Sequence, residues 1–254
     1  MAQRAPTAAY VLHRYDWSET SLILDLFTRD QGRVAVVAKG AKRPYSQLRA
    51  VLLPFQRLLA HYGRRAVDDN SQAEVHTLKS AEWAGGGPML SGAALLSGFY
   101  LNELLMKLLA RSDAHPVLFD AYAQTLPLLA AGQDDVAEAG LRAFELVLLR
   151  EIGLLPELAL VTLTQQPLRE GAAYLLRPES GVGPASAGEA GIAADTLQAL
   201  QAALDARSQP ALQRAAALAL PELKLQLRAL LHYHLGSSPL HTRKVALDVQ
   251  KLLE

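Results

Sequence analysis

The hydrophobic period of this chain passes from that of strands to that of helices near residue 88, and that change constrains the fold more than any other feature of the sequence. Over residues 1–82, apolar side chains recur at every second position in short runs, the pattern of strands with one buried face. The spacing predicts five strands, at residues 8–14, 21–28, 33–39, 50–62 with a bend at Pro54, and 73–81. Between the second and third, Arg29-Asp30-Gln31-Gly32 fits a tight hairpin in which glycine supplies the positive φ. Gly40-Ala41-Lys42-Arg43-Pro44-Tyr45-Ser46 reads instead as a longer basic loop.

Five short strands in a segment of this size suit a small closed barrel such as the OB-fold. After Pro88 the period becomes helical: Leu90, Leu95, Leu96, Phe99, Leu101, Leu104, Leu105, Leu108 and Leu109 mark a long, heavily buried helix. Gly85-Gly86-Gly87-Pro88 is the expected junction, which divides the chain into a barrel domain, residues 1–82, and a helical domain, residues 83–254. Further helices are predicted at residues 116–130, 134–153, 195–206, 210–220, 221–235 and 242–253. Residues 158–191 break this pattern with two short strands, at 161–163 and 173–176, and a turn at 180–184. The fold class is α+β, with a small β-containing subdomain set inside the helical part.

Charge is segregated along the chain. Lys and Arg together number 25, as do Asp and Glu, yet between Gln31 and Val67 there are eight basic residues and no acid. Residues 1–82 carry 12 basic and 8 acidic side chains, and the remainder 13 and 17, so the halves differ from +4 to −4. Such asymmetry points to an anionic partner for the first half. With no cysteine, disulfides and thiolate metal sites are excluded. No signal-peptide h-region follows the N-terminus and no apolar run is long enough to span a bilayer, so a cytoplasmic protein without a membrane partner is expected.

Phosphate binding needs mobile cations with few competing carboxylates, and base stacking needs exposed rings among them. Arg33, Lys39, Lys42, Arg43, Arg49, Arg64 and Arg65, with Tyr45 in the basic loop, are the candidate nucleic-acid residues. Lys39, Lys42, Arg43 and Arg49 lead, because they surround Gly40, where backbone can approach a ligand closely. Trp17 is expected to be a hydrophobic plug. His232 and His234, two apart on a helix, point away from each other and make no metal site with His241. Arg243 and Lys244 read equally as a secondary DNA contact or a solvent face. No phosphate-cradling lysine loop, zinc-protease motif or nucleophile elbow is present, and Gly181 to Gly188 reads as a flexible loop, so neither enzyme chemistry nor a cofactor is expected.

Several segments, in order, carry a family likeness. These are Trp17-Ser18-Glu19-Thr20-Ser21-Leu22, Leu26-Phe27-Thr28, Gly32-Arg33-Val34, Val37-Ala38-Lys39-Gly40-Ala41, Leu53-Pro54-Phe55, Ser80-Ala81-Glu82, Gly98-Phe99-Tyr100-Leu101-Asn102-Glu103-Leu104-Leu105, Leu141-Arg142-Ala143-Phe144-Glu145-Leu146 and Ser238-Pro239-Leu240-His241-Thr242-Arg243. The chain resembles the RecO family of bacterial recombination mediators, departing from it at His241, where Lys is expected, and Thr242, where Ser is usual. Many members carry a four-cysteine zinc module where residues 158–183 lie. This chain is similar to the zinc-free branch, whose short strands must hold together by packing.

The resemblance implies an OB-fold followed by a helical domain, binding of single- and double-stranded DNA, strand annealing, and loading of RecA onto DNA coated by single-stranded DNA-binding protein. It implies as partners that protein's acidic C-terminal tail and RecR, and a cytoplasmic, nucleoid-associated location. It also raises Lys107, Arg111, Arg142, Phe144 and Arg150 from ordinary helix residues to a candidate tail-binding set. The competing reading is an OB-fold protein that binds RNA or associates with the ribosome.

Overall fold

The computed structural model describes residues 5–63, 75–85, 87–236, 240–242, 244–245 and 248. It packs as two units, Met1–Pro127 and Leu128–Glu254. The first is built on five strands: β1 (Thr7–Asp16), β2 (Leu22–Thr28), β3 (Gly32–Ala38), β4 (Leu58–Gly63) and β5 (Val75–Trp83). They close in the order β1-β2-β3-β5-β4, with β3 and β5 parallel and every other pair antiparallel. Ala9, Val11, Leu24, Leu26, Val34, Val36, Leu58 and Ala60 alternate inward along these strands and fill the barrel.

One expected strand is largely absent. Residues 50–57 do not extend β4 but form the end of a short helix, α1 (Leu48–Val51), followed by an irregular stretch in which Phe55 takes φ +64°. Leu52 and Val51 reach the barrel core from it, so the apolar run is satisfied by plugging the barrel rather than by pairing.

The first part of β1, to Leu12, and β2 from Leu24 are buried on both faces, because α2 (Gly92–Leu108) and α3 (Pro116–Ala130) follow the barrel directly in sequence and supply rings for its outer surface. Tyr10 meets Phe119 and Tyr122 at centroid distances of 5.2 and 4.9 Å, and Phe27 meets Phe119 at 5.4 Å. A β-bulge between Val11 and His13 shifts the register around Leu12, and Asn102 Nδ2 of α2 donates to the Leu12 carbonyl at 3.0 Å. Asn102 in turn accepts from the Tyr122 hydroxyl at 2.6 Å. Burial pushes that phenol well above its ordinary pKa, which keeps it a donor. At the hairpin, Gly32 has φ +65° and a Cβ there would lie 1.7 Å from the Asp113 carbonyl oxygen, so no other residue fits.

The second unit holds α4 (Asp134–Glu151), α5 (Ala194–Asp205), α6 (Gln209–Ala217) and α7 (Leu220–Leu235), with α4 packed on α6 and α7. Between α4 and α5 lie five short strands in two sheets. β6 (Leu160–Val161) pairs with β7 (Gln166–Pro167), and β8 (Ala173–Arg177) lies between β9 (Gly181–Pro184) and β10 (Ile192–Ala193). The sequence expectation of a turn and flexible loop from residue 180 is corrected here, since residues 181–184 are a strand. Thr162 exchanges two hydrogen bonds with Val182, at 2.9 and 2.8 Å, tying the sheets together. Tyr174, Leu176, Val182 and Ile192 are buried, and Gln226 of α7 accepts from the Leu176 amide at 2.8 Å. The helix expected at 242–253 falls mostly outside the described residues. Among the described residues, no helix is long and apolar enough to cross a membrane.

Candidate nucleic-acid interface

The loop from β3 to α1 is a chain of tight turns: Ala41 N–H donates to Ala38 O, Arg43 to Gly40, Ser46 to Arg43 and Arg49 to Ser46. Gly40, at φ +70°, lets the turn start, and the Arg43 side chain passes over it at about van der Waals distance. Each turn throws one polar side chain outward. Lys39, Arg43 and Arg49 are exposed, and Tyr45 is 98% exposed at the tip.

Lys42 behaves differently from its neighbours. Its amide donates to Thr20 O at 2.9 Å, while its ammonium lies 3.0 Å from Asp16 Oδ1 and donates to Ser18 O at 3.1 Å. The lysine therefore fastens the basic loop to the β1–β2 connection. Trp17, on that connection, is 63% exposed, so the expectation of a plug is corrected: the loop fastened by Lys42 holds the ring out in solvent.

Between these two loops a groove of about 540 Å³ opens to solvent. Leu22, Ala41, Leu48 and Leu52 give it an apolar floor continuous with the barrel core. Arg14, Asp16, Lys42 and Arg49 form its rim. Arg14 and Asp16 share one face of β1, being two residues apart, whereas His13 and Tyr15 meet edge to face, centroids 4.4 Å apart, on the other. The arrangement can neutralise phosphates along a rim of cations and hold planar rings beside them.

The structure thus brings Lys39, Lys42, Arg43, Tyr45 and Arg49 to one end of the barrel. Arg64 and Arg65 lie outside the described residues. Arg33 is a correction: it is 8% exposed, and its guanidinium forks onto Asp25 at 2.7 and 3.3 Å while donating to the carbonyls of Met106 and Leu109. A buried arginine with four of its five donors engaged inside the protein is withdrawn from a phosphate in solvent. Sequence reasoning did not single out Arg14 and Asp16, which line the groove, because they precede the acid-free window. The alternation that puts Arg14 and Asp16 on one face was the available signal.

The candidate tail-binding residues divide between the units. In the first, Lys107 lies 3.6 Å from Glu103, and Arg111 bonds Asp25 at 3.1 Å. In the second, Phe144 is fully buried and Arg142 is buried against Glu145 at 3.0 Å, so neither offers the surface expected of it. Two apart on α4, they point to opposite sides of a helix that is buried all round at this level. Arg150 is exposed and pairs with Asp205 at 2.8 Å. Among the described residues, no three His, Cys, Asp or Glu side chains are grouped to hold a metal ion.

Residues 1–85 match the family model described as Recombination protein O N terminal, and residues 89–244 the one described as Recombination protein O C terminal. The DNA repair protein RecO of Verminephrobacter eiseniae is 55% identical over 250 residues, covering 98% of this chain and 97% of the relative. The proteins of that name from Variovorax paradoxus and Polaromonas naphthalenivorans are 53% and 54% identical, each over 96% of both chains.

Proposed function

This chain belongs to the RecO family of DNA repair proteins, recombination mediators, and we propose that it grips DNA by the groove end of its barrel. One observation carries the reading: Arg14 and Arg49 line an open groove of a closed five-stranded barrel, and Lys39, Arg43, Tyr45 and Trp17 stand exposed on the two loops that bound it. Cations supply backbone affinity by releasing counterions, and exposed rings supply stacking that tolerates any base. Neutralising the phosphates of two complementary strands lowers the repulsion between them, which is sufficient for annealing without bond chemistry. Binding of both single and double strands, and help in loading RecA onto DNA coated by single-stranded DNA-binding protein, follow from the same backbone grip.

The partners proposed are RecR and the acidic tail of the single-stranded DNA-binding protein. Of the expected tail-binding cations in the second unit, Arg150 is the one on the surface, and a tail carboxylate would compete with Asp205 for it.

The test is anisotropy of labelled oligo-dT across a salt series, wild type beside a Lys39, Arg43 and Arg49 triple Ala variant. Four phosphate contacts give a log–log slope of about −3 on single strands, and loss of three contacts leaves about −1. A slope unchanged in the variant would remove DNA from this face. Preference for oligo-U would move the function to RNA.

A further inference from the structure

We propose that unpaired bases stack on Tyr15 and Trp17, on the outer face of the β1–β2 hairpin, and that this face distinguishes single-stranded from duplex DNA. The inference rests on the reading that the barrel binds DNA through its cations. It starts from the ring pattern of the hairpin: His13, Tyr15 and Trp17 recur at every second position and all are exposed, Tyr15 by 45% and Trp17 by 63%. Exposed apolar side chains scattered singly need no explanation, but rings repeated along one face of a strand do.

Strand pairing puts the three on that face. After the bulge at Leu12, His13 stands opposite Asp25, Tyr15 opposite Ile23 and Asp16 opposite Leu22. The Trp17 amide donates to the Ser21 carbonyl at 3.3 Å, which carries the pairing, and hence the alternation, one step past the strand. Arg14 and Asp16 line the groove, so the rings point away from it. Across the sheet Tyr15 is followed by Ile23 and Val37, both half-buried, and the rings rise from this apolar strip. His13 meets Tyr15 edge to face at 4.4 Å and braces that ring while leaving it nearly half exposed.

The two faces of the hairpin then do different chemistry. On the groove face, Arg14 and Arg49 engage phosphates, which one strand or two present alike. The outer face offers ring surface, and a base can use it only when its own face is free. In a duplex every base is held in the stack at a rise of about 3.4 Å. Rings two residues apart on a strand stand about 6.8 Å apart, a step that an extended single strand can follow and a duplex cannot.

The experiment measures anisotropy of labelled oligo-dT and of a labelled duplex of equal length across a salt series. It compares wild type with a Tyr15→Leu, Trp17→Leu variant and a Tyr15→Phe, Trp17→Phe variant. The Leu variant should lose about tenfold for oligo-dT, less than two full stacks because Leu keeps part of the apolar contact, at an unchanged salt slope because stacking releases no counterions. Its duplex affinity should stay within about twofold of wild type, since the groove cations are intact, and that retention shows the barrel folded. The Phe variant keeps both rings and should bind both DNAs as wild type does. An undiminished oligo-dT affinity, an equal fall for the duplex, or the same loss in the Phe variant would overturn the stacking face while leaving DNA on the groove cations. No binding of either DNA by wild type at low salt would overturn both readings.

Discussion

Replacing Arg33 by Met tests whether this arginine belongs to the architecture or to DNA. Asp25 is 1% exposed, and Arg33 gives it two hydrogen bonds while donating to two carbonyls at the end of α2. Breaking a buried pair by removing one partner costs about 3–5 kcal/mol, because a charge is left in a poor solvent. Arg111 keeps one bond to Asp25, but it is half exposed and screened, which puts the expected loss at about 3 kcal/mol. Both tryptophans, Trp17 and Trp83, lie in the first unit, so a urea melt followed by tryptophan fluorescence reports that unit alone. With an m-value of about 1.5 kcal/mol/M, the midpoint should fall by about 2 M. Combining Arg33→Met with Asp25→Asn should cost clearly less than the two separate losses together, as for any residues in contact. A midpoint shift below about 0.5 M, strict additivity, or lost DNA affinity at unchanged stability would refute the argument and return Arg33 to the surface.

Other expectations follow from the same geometry. Tyr45→Ala should leave the fluorescence melt unchanged, its ring being free in solvent, yet weaken oligo-dT binding by about 1–3 kcal/mol, the worth of one base stack; undiminished affinity would take the ring off the DNA path. Asn102→Ala withdraws the donor from the buried Leu12 carbonyl and the acceptor from the Tyr122 hydroxyl, and should destabilise the first unit by about 2 kcal/mol or more in the tryptophan melt. The Glu189 carboxylate accepts the Ser186 amide at 2.7 Å and lies beside Arg177, which together hold its pKa below the ordinary glutamate value. A lowered pKa stabilises above the unfolded value and the benefit is lost as pH falls through the folded one, so the Ser186 amide resonance should titrate with a midpoint below 4.5; a midpoint at or above it would contradict the contact.

The barrel was legible because its inward residues alternate through β2 and β3 and along β1 as far as the bulge at Leu12, and because Gly32 marks a hairpin whose geometry admits no side chain. The failure at residues 50–57 has a definite cause. Period-two apolar spacing reports which side chains face the core, and Leu52, buried, and Val51, partly buried, reach it from a helical turn as effectively as from a strand. In the second unit, Gly181 was taken as loop chemistry. Its φ of +69° and the Thr162 hydroxyl at 2.3 Å from a would-be Cβ instead make it the entry to β9, a constraint that depends on a residue nineteen positions away.

The site was half legible, and the missing half lies in where the acids are. An acid-free window counts free cations correctly only if no carboxylate from elsewhere folds back onto it. Among the described residues two do: Asp25 from β2 takes Arg33, and Asp16 from β1 takes Lys42. They do so in different ways. Asp25 is buried, so Arg33 is withdrawn from any ligand, whereas Asp16 is exposed and leaves Lys42 at the rim of an open groove. With Arg33 and Lys42 both discounted, Lys39, Arg43 and Arg49 remain from the described part of the loop, joined by Arg14 from outside the window. Discounting that pair takes the window from eight cations to six, and the salt slope the window could give from about −6 to about −4. The slope therefore measures how far tertiary pairing has edited the charge that the sequence displays.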